Sequence, residues 1–320
     1  MFAKNASRAL AALACAFALA ACGNDNASES PKIPAGQAEI QKYNAYVGAA
    51  NSAGQTYERA LDNWERYLKP KLSGKEALKD LSISDGTPYT ADNVKEQLDK
   101  ALGMDLAMAE LDGPARAFSD AIAKFQPISA DMNNYISAKT YMSDKGAHGK
   151  EIMAAYEETL KGVVSAQAAF FGGIDAKDRA RVKAEFENAK KDTAAYYRAG
   201  LIYYGKQSFD QAEGLFDGTG LGDQLEPFGK SLDEMNKMAL GYDAKMRESN
   251  PKGCPSLMLQ VNSYLSTGRT AIEHTTSGRY AEDAKRTGAF KMIRPTIDMD
   301  SSSLRQNYNN MISRLNMNQC

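Results

Sequence analysis

The chain has 320 residues, 43% apolar and 25% charged, with Lys+Arg 39 against Asp+Glu 40. That balance describes a folded chain of one or two domains and excludes a fibrous or disordered one. A formal net charge of -1 supplies no basic field for nucleic acid, and 2 histidines leave little material for a multi-histidine metal site or a histidine relay. No nucleic-acid partner and no cofactor are expected.

In chain order, the first element reads as an export signal over residues 1–21. Lys4 and Arg8 precede an apolar run from Ala9 to Ala21 that is too short to span a bilayer. The run closes on Leu19-Ala20-Ala21-Cys22, which resembles the bacterial lipobox, where the signal is cut before the Cys and its sulfur takes a covalent lipid. Cys22 is therefore the expected lipidation site, and two or more acyl chains hold a protein stably on a membrane. Gly23 stands where an Asp favours inner-membrane retention in such lipoproteins, so the resemblance implies the outer membrane, with the domain facing the periplasm. Cleavage after Ala18-Leu19-Ala20, releasing a soluble protein, is the alternative. Residues 22–36 are small, polar and interrupted by Pro31 and Pro34, the composition of a flexible tether.

The body, residues 37–320, is expected to be all-α. Ile40, Tyr43, Val47, Ala50, Gly54, Tyr57, Leu61, Trp64 and Leu68 step by three and four, which predicts one helix from about Ala38 to Lys69, stopped by Pro70. The same stepping runs through Val182, Phe186, Ala189, Thr193, Tyr196, Gly200 and Tyr203. It recurs at Leu225, Phe228, Leu232, Met235, Ala239, Tyr242 and Met246, and at Leu304, Tyr308, Met311 and Leu315 after the capping serines Ser301 to Ser303. Breaks are expected at Pro88 with Asp92 as cap, at Asp112-Gly113-Pro114, at Pro127, at Gly172-Gly173 and at Pro251 to Pro255. No stretch alternates with period two. The pattern predicts seven or eight long amphipathic helices in one elongated helical bundle or two stacked bundles, with a sub-division near 172–175.

Cys15 leaves with the signal and Cys22 takes lipid, so Cys254 and Cys320 are the thiols left in an oxidising compartment. An intramolecular bridge between them is expected, ahead of two free thiols or a bridge between chains through Cys320.

Lys42-Tyr43-Asn44-Ala45-Tyr46-Val47 with Asn51, the segment from Tyr57-Glu58-Arg59 to Trp64-Glu65-Arg66-Tyr67, and Tyr141-Met142-Ser143-Asp144-Lys145-Gly146 carry a resemblance. With the lipobox and tether, the chain resembles the YiiG-like bacterial envelope lipoproteins, whose domain has no assigned function. The resemblance implies a helical periplasmic domain and supplies no catalytic residues.

Gly146-Ala147-His148-Gly149-Lys150-Glu151 fits G-x-H-x-x-E, a pattern of imelysin-like helical envelope proteins linked to metal or peptidase chemistry. On a helix His148 and Glu151 share a face and are the candidate metal ligands, beside the plainer reading of a solvated histidine near a helix start. His274 follows Glu273, and adjacent helical residues face apart, so His274 is expected at the surface and not paired with Glu273. Residues 217–223, Gly-rich between acids, are expected to be a turn between helices, since no strand precedes them. Tyr occurs 16 times. Most are expected in helix contacts, while Tyr197 and Tyr204, facing away from the seam, are candidates for an exposed aromatic surface. The leading expectation is a non-catalytic, lipid-anchored helical protein with an interaction or structural role in the envelope, its partners the membrane and an envelope protein. The alternative is a small-ligand or metal-binding protein acting at His148.

Overall fold

The computed structural model describes residues 35–83, 87–285 and 295–317. The signal, Cys22 with most of the tether, and Cys320 lie outside the described residues. The described residues are all-α, with no strand among them. They divide between two compact units that meet in sequence at Lys177 and Asp178.

The first unit holds α1 (Ala35–Ala53), α2 (Thr56–Asn63), a π-turn (Trp64–Leu68), α3 (Lys69–Leu72), α4 (Thr87–Leu102), α5 (Ala109–Ser137) and the first part of α6 (Ala147–Asn188). The single helix expected up to Lys69 is broken at Gly54, whose φ of +49° takes the backbone into the left-handed region. The buried stripe carries on across the break: in α1 the interior positions are Lys42, Tyr46, Val47, Ala49, Ala50 and Ala53, with Ile40 exposed, and beyond it Tyr57, Ala60, Trp64 and Leu68 continue the steps of three and four. Pro70 does not stop the chain. The Lys69 amide reaches back to the Trp64 carbonyl, five residues earlier, and this widened turn absorbs the ring that would clash in a regular helix.

The expected breaks elsewhere in this unit also lie inside helices. Pro114 and Pro127 sit within α5, each costing one backbone hydrogen bond, and Gly172-Gly173 sit within α6. Gly173 has a packing reason to lack a side chain: a Cβ there would stand 3.1 Å from Leu111. The α4 helix starts at Thr87, ahead of Asp92, which instead accepts from Gln126 of α5 at 2.6 Å. A continuous aromatic chain fills the core, from Tyr46 through Phe170, Phe118, Tyr57, Phe125 and Tyr156 to Trp64, mostly edge-on or tilted. One cation is buried with it. Lys42, 2% exposed, donates to the Leu106 carbonyl at 2.6 Å and pairs with Asp112 at 2.9 Å, while the Tyr46 hydroxyl donates to the same carboxylate at 2.5 Å.

The second unit holds the end of α6, then α7 (Ala194–Gln211), α8 (Glu213–Phe216), α9 (Leu225–Arg247), α10 (Pro255–Thr276), α11 (Arg279–Ala284) and α12 (Thr296–Asn316). The stripe expected from Val182 to Tyr203 is split between two helices, because Asp192 turns at φ 60° and Thr193 caps α7 by accepting from the Tyr196 amide at 3.2 Å. The stripes from Phe228 to Ala239 and from Leu304 to Leu315 are buried as expected. Ser301 to Ser303 do not cap α12, which begins at Thr296; Ser302 bonds back to the Asp298 carbonyl at 2.7 Å. Here α7 packs along α9, α9 against α10, and α10 against α12. Buried Asp178 at the end of α6 is held by Lys206 of α7 and by Arg181 at 2.8 Å. Residues 217–221 form the turn that leads through a short 3-10 segment (Gly222–Gln224) into α9.

Candidate functional site

One glycine sets how closely α9 meets α10: a Cβ on Gly268 would stand 2.8 Å from Leu232, so the helices close up there on a seam with little between them. On the outer side of that seam lies an open groove of about 560 Å³. Buried Leu265 forms its floor. Asn236 of α9 stands on one wall, and Asn262, Ser266, Arg269, Thr270 and Glu273 of α10 make up the other. Arg269 reaches across to Asp233 of α9 at 3.3 Å. One turn beyond Asn236 on the same face of α9 comes Leu240, 55% exposed, and one turn before Asn262 on α10 comes Leu259, 63% exposed. The groove thus leads through amides and hydroxyls to a charged end.

At that charged end Glu273 stands 3.5 Å from His274 Nε2. The other ring nitrogen, Nδ1, lies 2.7 Å from Asp300 of α12, and the Tyr280 hydroxyl of α11 donates to the same carboxylate oxygen at 2.8 Å. His274 is therefore not a free surface histidine. It is half-buried, held in orientation by three elements, and it does meet Glu273, because a long carboxylate side chain can fold back over the neighbouring ring. Burial first, and then the Asp300 carboxylate, push the Tyr280 hydroxyl far above its ordinary value, so it remains a donor.

His148 lies in the first turn of α6, as a histidine near a helix start. Gly146, at φ +86°, turns the chain into the helix, and Asp144 accepts from the amides of Gly146 at 2.9 Å and His148 at 3.0 Å. Glu151 does come close, 3.7 Å from Nδ1. The nearer partner is Asp131 of α5, with both carboxylate oxygens 3.0 Å from Nε2, and the ring packs edge-on against Tyr135. The hydrogen bond to Asp131 raises the His148 pKa, with Asp131 and Glu151 adding attraction. That favours an imidazolium in an ion pair, whose proton a metal ion would have to displace. Among the described residues no group of three or more His, Cys, Asp or Glu is arranged to hold a metal ion.

Tyr197 and Tyr204 do not form an exposed patch. Both are half-buried against the core of the second unit. Phe186 stacks on Tyr196 at 5.1 Å and on Tyr203 at 5.3 Å, and meets Tyr204 edge-on. Tyr197 lies over Gly241 of α9, where any Cβ would collide with its ring, and its hydroxyl donates to Asp192 at 3.2 Å. The end of α6 and the closely packed α9 cover the side that a seam on one helix leaves open. Cys254 is fully buried ahead of α10 and disulfide-bonded; Cys320, its expected partner, lies outside the described residues.

Of the groove residues, the sequence reading named Glu273 alone, beside His274. Asn262, Ser266 and Thr270, four apart, are a polar row that the pattern did contain, but its partner wall depends on the register between α9 and α10.

Fold and groove define an all-α domain protein with an open polar surface channel. Residues 37–317 match the family model described as a protein of unknown function, DUF3829, and the chain belongs to that family. Neither curated proteins nor solved structures gave a match.

Proposed function

We propose that this protein is an envelope lipoprotein of the YiiG-like kind, anchored through lipid on Cys22 to the outer membrane on its periplasmic side, and that it works by binding through the α9–α10 groove. The observation that carries the binding reading is the groove itself, where polar side chains of two helices converge over buried Leu265, with an exposed leucine one turn away on each helix. Exposed leucines beside convergent polar groups are the surface character of an interaction site. The lipobox, and the polar stretch separating it from α1, support the anchor.

Two measurements test this. Metabolic labelling with a fatty-acid analogue is expected to mark the wild type and not Cys22→Ala. A photo-crosslinking residue at Ser266 is expected to give a discrete adduct in intact cells, while the same residue at exposed Lys183 gives none. An unlabelled wild type sinks the anchor, and the absence of any Ser266 adduct sinks the binding site.

A further inference from the structure

We infer that Arg305 is a seat for an oxyanion, its guanidinium held on the rings of Phe216 and Phe209 to take a carboxylate or phosphate group from outside the chain. The seat shares no residue with the α9–α10 groove, so it stands or falls apart from the binding reading above.

Three helices build it. The guanidinium carbon of Arg305, on α12, lies 4.3 Å from the centre of the Phe216 ring of α8 and 5.8 Å from that of Phe209 of α7. Phe209 meets Phe216 at 4.8 Å and stacks at 4.4 Å on Tyr308, one turn beyond Arg305 on α12. Arg305 is half-buried there.

A ring covers the face of a guanidinium and leaves its N–H donors, which point outward in its plane, without an acceptor. Other arginines of the unit commit those donors within the chain. Arg181 reaches Asp178 at 2.8 Å, Arg198 the Leu315 carbonyl at 3.0 Å, Arg247 Asp243 at 2.8 Å and Arg279 Asp283 at 3.5 Å. Among the described residues Arg305 has no such carboxylate or carbonyl. Burial lowers its pKa and no neighbouring carboxylate opposes this, yet a guanidinium keeps its charge at neutral pH. A cation so placed costs free energy, and an anion beside it offsets the cost. An arginine standing in water has no such need, so burial on two apolar rings is what sets Arg305 apart. The rings also hold the side chain, so less rotamer freedom is lost when a ligand arrives. The ligand class follows from the guanidinium fork, which matches the paired oxygens of a carboxylate or phosphate in a bidentate contact.

The test is an NMR titration of the full chain in detergent, carrying isotope-labelled arginine, with sodium phosphate or sodium acetate against sodium chloride of equal ionic strength. One Nε–Hε resonance, the one missing from Arg305→Lys, is expected to shift saturably, with half-saturation at about 1 mM. Phosphate is also expected to raise the thermal midpoint of the wild type more than that of Arg305→Lys, which keeps the charge but loses the fork. A second arm separates a solute from a lipid headgroup. Flotation of the Cys22→Ala chain with phosphatidylglycerol vesicles, lost in Cys22→Ala/Arg305→Lys, assigns the headgroup, and a saturable shift without flotation assigns a solute. A shift that rises linearly with both anions, or an equal gain in thermal midpoint in wild type and Arg305→Lys, overturns the inference.

Discussion

The side-chain amide of Gln167 donates to the carbonyl of Gly54 across 2.7 Å, at the break between α1 and α2. The bond joins the middle of α6 to the point where the first rod is interrupted, and Gln167 is fully buried. Gln167→Leu is expected to cost about 1–3 kcal/mol by leaving that carbonyl without its side-chain donor. Gly54→Ala is expected to cost about 1–2 kcal/mol through the positive φ. Trp64 is the chain's one tryptophan and is fully buried in this unit, so the urea midpoint of its fluorescence reads both. An unchanged midpoint in Gln167→Leu would show the bond contributes nothing.

The pair Lys42 and Asp112 is expected to be costly to halve and cheap to remove whole. Burial would raise Asp112, but hydrogen bonds from Tyr46, Lys42 and the Met108 amide outweigh it and hold the carboxyl below its usual range. Asp112→Ala leaves an ammonium 2% exposed, with the Leu106 carbonyl as acceptor but no counter-ion, at a cost of about 3 kcal/mol. Lys42→Met/Asp112→Leu should recover most of that loss in the same urea assay. A double variant no better than the single one would mean that the ion pair itself stabilises the unit.

Two carboxyls of the α2–α6 region give opposite pH dependences. Burial alone would raise Glu157, but hydrogen bonds from Lys161, Lys69 and the Trp64 indole bring it down from 4.5 to about 2. Its stabilisation is complete above the unfolded value and is lost as pH falls through about 2, so Glu157→Gln should flatten the acid limb of Trp64-detected stability below pH 4.5. Burial pushes Glu58 the other way, up to about 7, with Arg59 opposing. Its contribution is present below 4.5 and disappears as pH rises through about 7. Glu58→Gln should therefore be more stable than the wild type at pH 8 and level with it near pH 4. Parallel curves for wild type and variant would refute either assignment.

A tryptic map without reductant is expected to yield one linked peptide containing Cys254 and Cys320. Closing that loop of about 66 residues stabilises by about 4 kcal/mol in the chain-entropy model. Reduction should then lower the thermal midpoint of the helical signal while Trp64 fluorescence, which reports the other unit, moves less. Two alkylatable thiols in the oxidised protein would discard the pairing.

Fold class was legible because apolar spacing survives wherever a helix is straight and buried on one side, as from Phe228 to Ala239 and from Leu304 to Leu315. It failed where packing overrides local rules. Pro70 passes because a π-turn precedes it, and Pro114, Pro127 and Gly172-Gly173 stay helical because α5 and α6 are held along their length by the aromatic core. Gly54 stands in the predicted seam as one step of a single helix, when its φ makes it a break. His148 and Glu151 were rightly placed on one face, but Asp131, seventeen residues earlier and on another helix, is what the ring meets. The groove lay beyond reach for the same reason: Asn236 faces Asn262 only through the register of two helices, which no local pattern encodes.

Gly268, which does not line that channel, packs against Leu232 and Phe228 of α9. A single methyl at this position would act as a shim, prising the two rods apart and widening the slot without altering any group that touches an occupant. The spacing of the rods and the chemistry of the slot are thus set by different residues.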